Sequence, residues 1–405
     1  MKLGRLVTPS QNKTLPIYSW YNYKHSFSRD LIIYLIKKFK LTEKAKILDP
    51  FCGSGTTLVA SKELGILAYG LDILPLSVFI TNAKLYKYNK KIIEDYIKEF
   101  EKTFKIHNRN NLKLITTHNN EKELLKNYFQ EDTIDKILAI KNWIQNTDNK
   151  QIKYFFLTAL LSILESVSYT KKDGAFLRID KNKMIYDIIP IYLLRLKKML
   201  LEVEILNALP QVKAKAFLGD ARRIPFKSSK FSAVITSPPY PNRHDYTRIY
   251  LLELLIGFID NLEDIKTLRY SSIRSHVEAK IKIKANKDYI MPDLLKVTLE
   301  ELENTYLPNR TVIKMLKGYF EDMHIVLKEI YRVLKPNGKV AFIIGDVRYG
   351  GIKIPVTDII VEIARNIGFE FDEKITARLR GNSPQQMKKY GKVPLEENIL
   401  IWQRK

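Results

Sequence analysis

Over the first 85 residues the spacing of apolar positions changes twice. Residues 32–40, IIYLIKKFK, hold apolar side chains at helical intervals with lysines on the other side, the pattern of an amphipathic helix. KAKILDPFCGSGTTLVASKELG then gives an apolar strand at Ile47 and Leu48, a glycine-rich turn, and a helix with Gly65 as its C-cap. ILAYGLDI follows as a second short strand and ends at Asp72. Strand, helix, strand in that order is the unit that opens a doubly wound parallel sheet.

From about residue 85 to 210 the pattern turns helical and lysine-rich, with almost no glycine, as in KIIEDYIKEFEKTF, EKELLKNYF and IKYFFLTALLSILESVSY. Strand patterning resumes at KAKAFLGDARRIPF and FSAVITSPPY. A second helical stretch over about 247–335 closes with the helix MHIVLKEIYRVL and the turn KPNG. KVAFIIGD then reads as a strand, VTDIIVEIARNIG as a helix, and FEFDEKITARL with ENILIWQRK as a terminal pair of strands. The expected architecture is α/β: a Rossmann-like doubly wound sheet with two helical insertions. The core comprises residues 18–84, 214–260 and 320–405; the insertions are 85–213 and 261–319.

Composition narrows the class. A chain of 405 residues with 45% hydrophobic content can bury a large core and is not a disordered composition. No window reaches the roughly 18 uninterrupted apolar residues of a membrane span, and MKLGRLVTPSQNKTLP has no apolar signal core. These readings predict a cytoplasmic protein with no membrane partner. The single cysteine, Cys52, excludes an internal disulfide framework and a cysteine-based zinc cluster. The six histidines show no metal-ligand spacing, so no metal is expected. Sixty-eight Lys+Arg against 44 Asp+Glu leave a net charge of +24, which favours a polyanionic partner through counterion release. Lys, Ile and Asn are all abundant, however, and a biased genome composition would produce the same excess.

Three strand ends carry candidate chemistry. In DPFCGSGTT, Gly53 and Gly55 allow a tight turn and close approach to a ligand, and the following helix aims N–H groups at an anionic group. Asp72 ends the next strand roughly 17 residues after Gly55, where a carboxylate accepts hydrogen bonds from ribose hydroxyls. Gly219-Asp220 ends the third, placed to bind an adenine amino group. The fourth ends in TSPPY, residues 236–240. Two prolines terminate a strand simply because they lack N–H groups, but one glycine would do that as well.

Together these strings resemble the amino-methyltransferases that use S-adenosylmethionine, most closely the DNA cytosine-N4 methyltransferases. In that family an aspartate-proline-phenylalanine string with F-x-G-x-G binds the cofactor, and a serine-proline-proline-tyrosine string performs the chemistry. Both are present in that order, as Asp49 to Thr57 and Ser237 to Tyr240, and KHSFS at 24–28 looks like the segment that folds over the methionine end of the cofactor. The resemblance covers about residues 18–84 and 214–260, and the region from KPNG onward fits the rest of the sheet. It implies a cofactor site of Lys24, Ser26, Phe27, Ser28, Asp49, Phe51, Cys52, Gly53, Ser54, Gly55, Thr56, Thr57, Asp72 and Asp220. The implied catalytic string is Ser237, Pro238, Pro239 and Tyr240.

The doubled proline then has a physical reason. An exocyclic amine conjugated to its ring is a poor nucleophile, and two oxygens accepting its hydrogens favour a pyramidal nitrogen with its lone pair aimed at the methyl group. Ser237 Oγ and the Pro238 carbonyl are the expected acceptors, held rigid by the fixed φ of the prolines. Tyr240 is expected to stack on the target base, with its ring face favouring the cationic methyl donor. In the family, serine in the first position goes mainly with cytosine, whereas adenine enzymes usually carry an acidic or amide residue. A hydroxyl can also donate to the ring nitrogen of cytosine. Pro50-Phe51-Cys52 is not the Pro-Cys pair of carbon-5 methylation, which needs a thiolate nucleophile.

Duplex DNA is the expected partner, and three basic stretches are candidates to grip it. In PNRHDYTRIY, Arg243, His244, Asp245 and Arg248 read either as a phosphate clamp or as a solvated helix start. In SYTKKDGAFLRID, Lys171, Lys172 and Arg178 surround a glycine turn suited to a groove, or to solvent. Arg274, in RYSSIRSHVEAKIKIK, is treated alike. Family members often carry a target-recognition region after the sheet, yet only a short tail follows KITARLRGN, so DNA reading falls to the insertions. The expectation is a site-specific DNA methyltransferase acting on cytosine N4, in a restriction-modification setting with a cognate restriction endonuclease. The alternatives are an adenine-N6 DNA enzyme, an RNA guanine-N2 enzyme, and a basic DNA-binding protein without catalysis. The RNA enzymes usually begin the string with Asp or Asn and often carry an N-terminal RNA-binding domain. The last alternative is disfavoured because every catalytic position is filled.

Overall fold

The computed structural model describes residues 3–106, 119–174, 176–280, 288–381 and 384–405; residues 281–284 of the basic run ending in KIKIK lie outside them. Its sheet is built from β1 (Lys46–Asp49), β2 (Leu67–Asp72), β5 (Ala214–Leu218), β6 (Phe231–Thr236), β7 (Leu334–Gly345), β10 (Phe369–Arg380) and β11 (Leu395–Arg404). The order is β10-β11-β7-β6-β1-β2-β5, and β8 (Val347–Tyr349) pairs with β9 (Ile352–Ile354) apart from this sheet. The five strands from β7 to β5 pair in parallel, and β11 and β10 add antiparallel. This is the α/β doubly wound sheet expected from the sequence.

Alternation along the strands builds two cores. Ile47, Ile235, Ile343 and Ile401 point to one face, joined by the helices Arg29–Lys38, Thr56–Glu63 and Pro75–Leu85. Leu48, Val234, Phe342 and Trp402 point to the other, covered by the helices Thr311–Val333 and Val356–Ile367. The first insertion supplies the helices Lys90–Ile106, Glu131–Gln145, Lys150–Ile163 and Ile188–Asn207. Phe155, Phe156 and Tyr192 of that insertion belong to the same core as the first sheet face. Between its last two helices lies a hairpin of β3 (Thr170–Asp173) and β4 (Phe176–Ile179) that the sequence shows only as a glycine turn.

KPNG departs from the expected turn. Phe231 of β6 pairs with Leu334 and Ala233 with Lys339, so the string is absorbed as a bulge in β7 with Asn337 at φ +61°. β1 runs outward to β2 on one side and the chain later returns as β6 on the other. Ligands in such sheets bind where the winding reverses, beyond the carboxyl ends of the strands. Here that point lies between Asp49 and Thr236. No helix among the described residues is long and apolar enough to cross a membrane.

Candidate active site

The glycine turn and the catalytic string are tied together at the winding reversal. Asp49 is buried, and its Oδ1 accepts from Thr236 Oγ1 at 2.6 Å and from the Phe51 N–H at 3.1 Å. Its Oδ2 accepts from Thr57 Oγ1 at 2.6 Å. Burial pushes the Asp49 carboxyl up to about 6, against the pull of these donors. The carboxylate is therefore a clasp between two strand ends, and its bonds leave the cleft to other groups. Gly55 sits at φ +83°, and a Cβ there would lie 2.6 Å from Thr81 Cγ2, so both backbone and space require glycine.

Asp72 holds the turn from the second strand: Oδ2 accepts from the Gly53 N–H and Oδ1 from the Leu74 N–H, each at 2.9 Å. Burial again pushes its carboxyl up to about 6. Asp72 lines a cleft of about 780 Å3, partly open to solvent, together with Phe51, Gly53, Leu74, Gly219 and Asp220. Both Asp220 oxygens receive the Arg222 guanidinium, with Nε at 3.0 Å and Nη2 at 2.7 Å. An apolar wall flanked by two carboxylates fits an adenosyl group, which offers a flat ring, an amino donor and two hydroxyl donors.

A second cavity of about 770 Å3, also part open, lies on the other side of the string and includes Pro238, Tyr240, Asn242, His244, Arg378, Arg380 and Glu397. Ser237, His25 and Tyr246 line both spaces. The two cavities therefore meet at the first residue of the string. The Tyr319 hydroxyl donates to the Pro239 carbonyl at 3.0 Å and the Tyr349 hydroxyl to that of Pro241 at 2.6 Å. Among the described residues no hydrogen bond reaches the Pro238 carbonyl.

The C-terminal strands complete this second cavity, which sequence reasoning missed. The Tyr240 hydroxyl donates to Glu397 Oε1 at 2.8 Å, and Arg378 Nε bonds Glu397 Oε2. The Arg380 guanidinium lies 5.3 Å from the centre of the Tyr240 ring. Burial raises the phenol's pKa well above its ordinary value, and Glu397 adds to this. His25 was also missed, although it lies within KHSFS. Its ring is 5.1 Å from those of His244 and Tyr246. Burial lowers His25 to about 3 and His244 to about 4, so both imidazoles are neutral at neutral pH.

Of the residues implied for the cofactor, Phe51, Gly53, Asp72 and Asp220 line the first cleft. Lys24, Ser26 and Phe27 line the second instead, and Lys24 Nζ bonds the Lys172 carbonyl. Ser28 caps the helix Arg29–Lys38. Ser54, Gly55, Thr56 and Thr57 shape the turn and the helix start, while the Cys52 side chain packs against Gly70 of β2. Two residues expected on DNA are corrected. Lys172 is 7% exposed and paired with Glu253, which is 1% exposed. Arg274 holds Asp322 at 2.8 Å and Glu321 at 3.0 Å. Each guanidinium or ammonium is committed to an internal carboxylate. Lys171, Arg178, Arg243 and Arg248 are exposed, although Arg248 stands 3.3 Å from Asp245 and 3.5 Å from Glu278. Arg243 holds φ +67° with its N–H on the Ser275 carbonyl at 3.1 Å, a conformation unusual for a residue with a Cβ.

Residues 6–82 match the family described as DNA methylase. Over 99% of its length the chain is 33% identical to the Type II methyltransferase M.BsoBI of Geobacillus stearothermophilus, covering 88% of that protein. It is 32% identical to the Type II methyltransferase M.AvaI of Nostoc sp., over 99% of this chain and 89% of the relative. A solved SAM-dependent methyltransferase from Methanosarcina mazei aligns at 9% identity with a TM-score of 0.33, over 91% of this chain and 96% of that one. With a glycine turn, an acidic strand end and the Ser-Pro-Pro-Tyr string at one winding reversal, and relatives matched from end to end, the chain belongs to the Type II DNA methyltransferases of the N4/N6 DNA methylase family, whose methyl donor is S-adenosylmethionine.

Proposed function

We propose that this enzyme methylates the exocyclic N4 of a cytosine flipped out of duplex DNA. The observation that carries the reading is the meeting of two cavities at Ser237. Bound in the first cleft, S-adenosylmethionine supplies a methyl group on a sulfonium centre. Asp72 receives the ribose hydroxyls and Asp220 the adenine amine. In the second cavity Ser237 Oγ and the Pro238 carbonyl accept the two hydrogens of the target amine, which frees its lone pair. Tyr240 stacks on the base. Flipping is required because the amine cannot reach the donor from within the stack. The hydroxyl of Ser237, in place of a carboxylate or amide, favours cytosine over adenine. The Type II designation of the relatives supports a setting in which a restriction nuclease shares the recognition site. Mass spectrometry of nucleosides from DNA treated with the enzyme and labelled donor tests the reading. N4-methylcytosine is expected, and label found only in N6-methyladenine would overturn it.

Two further outcomes follow from the proposed contacts. Asp72→Ala is expected to weaken donor binding roughly tenfold to a hundredfold, about 1.5–3 kcal/mol for a charge-assisted bond. Because burial raises Asp72 to about 6, donor affinity should fall as pH drops through that value and the carboxylate loses its acceptor. The Asp72→Asn variant should bind weakly with a flatter pH profile. Calorimetry between pH 5 and 8 reads both, and an unchanged wild-type affinity at pH 5 would exclude Asp72 from the contact.

Exposed Lys171, Arg178, Arg243 and Arg248 are proposed to meet phosphates. The logarithm of DNA affinity should then fall by about 0.9 per phosphate contact for each unit in the logarithm of salt. Neutralising one of the four should lower that slope by nearly one unit. A slope unaffected by all four substitutions would assign the +24 charge to composition.

A further inference from the structure

We infer that Arg380 is the residue that recognises the target ring, its Nε–H donating to O2 of the flipped cytosine; this rests on the cytosine reading above. Buried side-chain atoms without a hydrogen-bond partner are informative, because leaving such a group unmatched is costly. Among the described residues two of them line the second cavity: Arg380 Nε and His25 Nδ1. One end of the Arg380 guanidinium is held by the backbone. Its Nη2 donates to the Asp346 carbonyl at 2.7 Å, and its Cζ stands 5.3 Å from the centre of the Tyr240 ring.

The neighbouring groups leave that donor to a ligand. Glu397, the carboxylate of the cavity, has one oxygen on the Tyr240 hydroxyl and the other on Arg378. Each Glu397 oxygen thus already accepts a donor, and neither donor comes from Arg380. Asp346 offers Arg380 only its backbone carbonyl, since its side chain takes Thr357 and Lys353. The wall of the cavity thus includes a guanidinium whose Nε–H is buried and unpartnered, beside the Tyr240 ring.

Base chemistry selects the acceptor. With the amine at Ser237 and Pro238, the cytosine edge continues with ring nitrogen N3 and carbonyl O2, both acceptors. Adenine laid in the same orientation carries C2–H where cytosine carries O2, so the Arg380 donor would stay buried and unmatched. A site built to bond a group rejects an analogue lacking it far more strongly than an apolar pocket does. Donation to O2 also draws electron density from the amine, so the contact serves ground-state binding and not the methyl-transfer step. Arg380 is a specificity-determining residue whose loss raises KM for DNA.

The test is a cycle on duplexes containing the enzyme's own site, mapped first from the positions it modifies. The target carries either cytosine or a 2-amino-5-pyridyl C-nucleoside, which keeps the amine and ring nitrogen but has C–H in place of O2. Wild type is expected to show a KM roughly tenfold to a hundredfold higher on the analogue. Arg380→Ala and Arg380→Lys should show that rise on cytosine, no further rise on the analogue, and a higher adenine-to-cytosine ratio. Additive losses in variant and analogue, or an analogue KM equal to that of cytosine in wild type, would overturn the assignment. The wild-type arm decides even if Arg380→Ala does not fold. Wild-type methylation confined to adenine would instead overturn the cytosine reading itself, before any variant is made.

Discussion

Ser237→Ala is expected to bind S-adenosylmethionine as the natural protein does and to lose about a hundredfold or more in the rate of methyl transfer. Ser237 stands where the two cavities meet, so on the proposed reading its hydroxyl touches the reacting amine, while Asp72 and the glycine turn hold the donor. An acceptor needed mainly as the nitrogen becomes nucleophilic contributes to the transition state more than to the bound substrate. The loss should accordingly fall on kcat, with KM for DNA little changed, the reverse of the pattern expected for Arg380. Single-turnover methylation with calorimetry of donor binding separates the two steps. A Ser237→Ala enzyme that turns over at the wild-type rate would remove the hydroxyl from the mechanism.

Glu253→Gln is expected to destabilise the fold by about 3–5 kcal/mol, the scale of leaving one buried charge without its partner. Glu253 lies in the helix Leu251–Gly257 and accepts from the Tyr21 hydroxyl at 2.7 Å and from Lys172 Nζ. Lys172 also faces the rings of Tyr250 at 5.0 Å and Tyr21 at 5.4 Å. The ammonium thus faces two aromatic rings, the Tyr21 hydroxyl at 3.3 Å and one carboxylate. Removing both charges, in K172M/E253L, should recover most of the loss, because an apolar pair of similar volume is often as stable as a buried ion pair. Urea unfolding measures both. If Lys172 instead gripped DNA, Lys172→Met would weaken DNA binding and leave the unfolding midpoint in place.

What could be read from the sequence was what contiguous strings encode. The glycine turn, Asp72, Asp220 and Ser237 to Tyr240 each lie at the end of a short apolar run, and strand ends at a winding reversal form the site in any doubly wound sheet. The basic stretches were read less well. Lys172, Lys171 and Arg178 look alike in SYTKKDGAFLRID, but alternation in β3 sends Lys171 outward and Lys172 inward to a carboxylate 81 positions away. Arg274 likewise met Asp322, 48 positions on. Arg380 and Glu397 gave no local signal, because the register of β10 and β11 alone brings them to Tyr240, which is 157 positions from Glu397. His25 is the residue whose signal was local: it lies in KHSFS between Lys24 and Ser26, both implied for the cofactor site.

The seam position of β11 has a bearing on how the enzyme is made. In chain order it is the last strand of the seven, yet it is hydrogen-bonded on both sides, between β7 and β10. A ribosome releases the glycine turn and Asp72 more than 300 residues, and Ser237 160 residues, before Glu397 emerges, so a nascent chain carries these strand ends long before the base cavity has its wall. Until β11 slides between its neighbours, Tyr240 lacks the carboxylate that holds its hydroxyl and β7 presents an open edge. Synthesis order therefore leaves the base cavity without its Glu397 wall until β11 has been made.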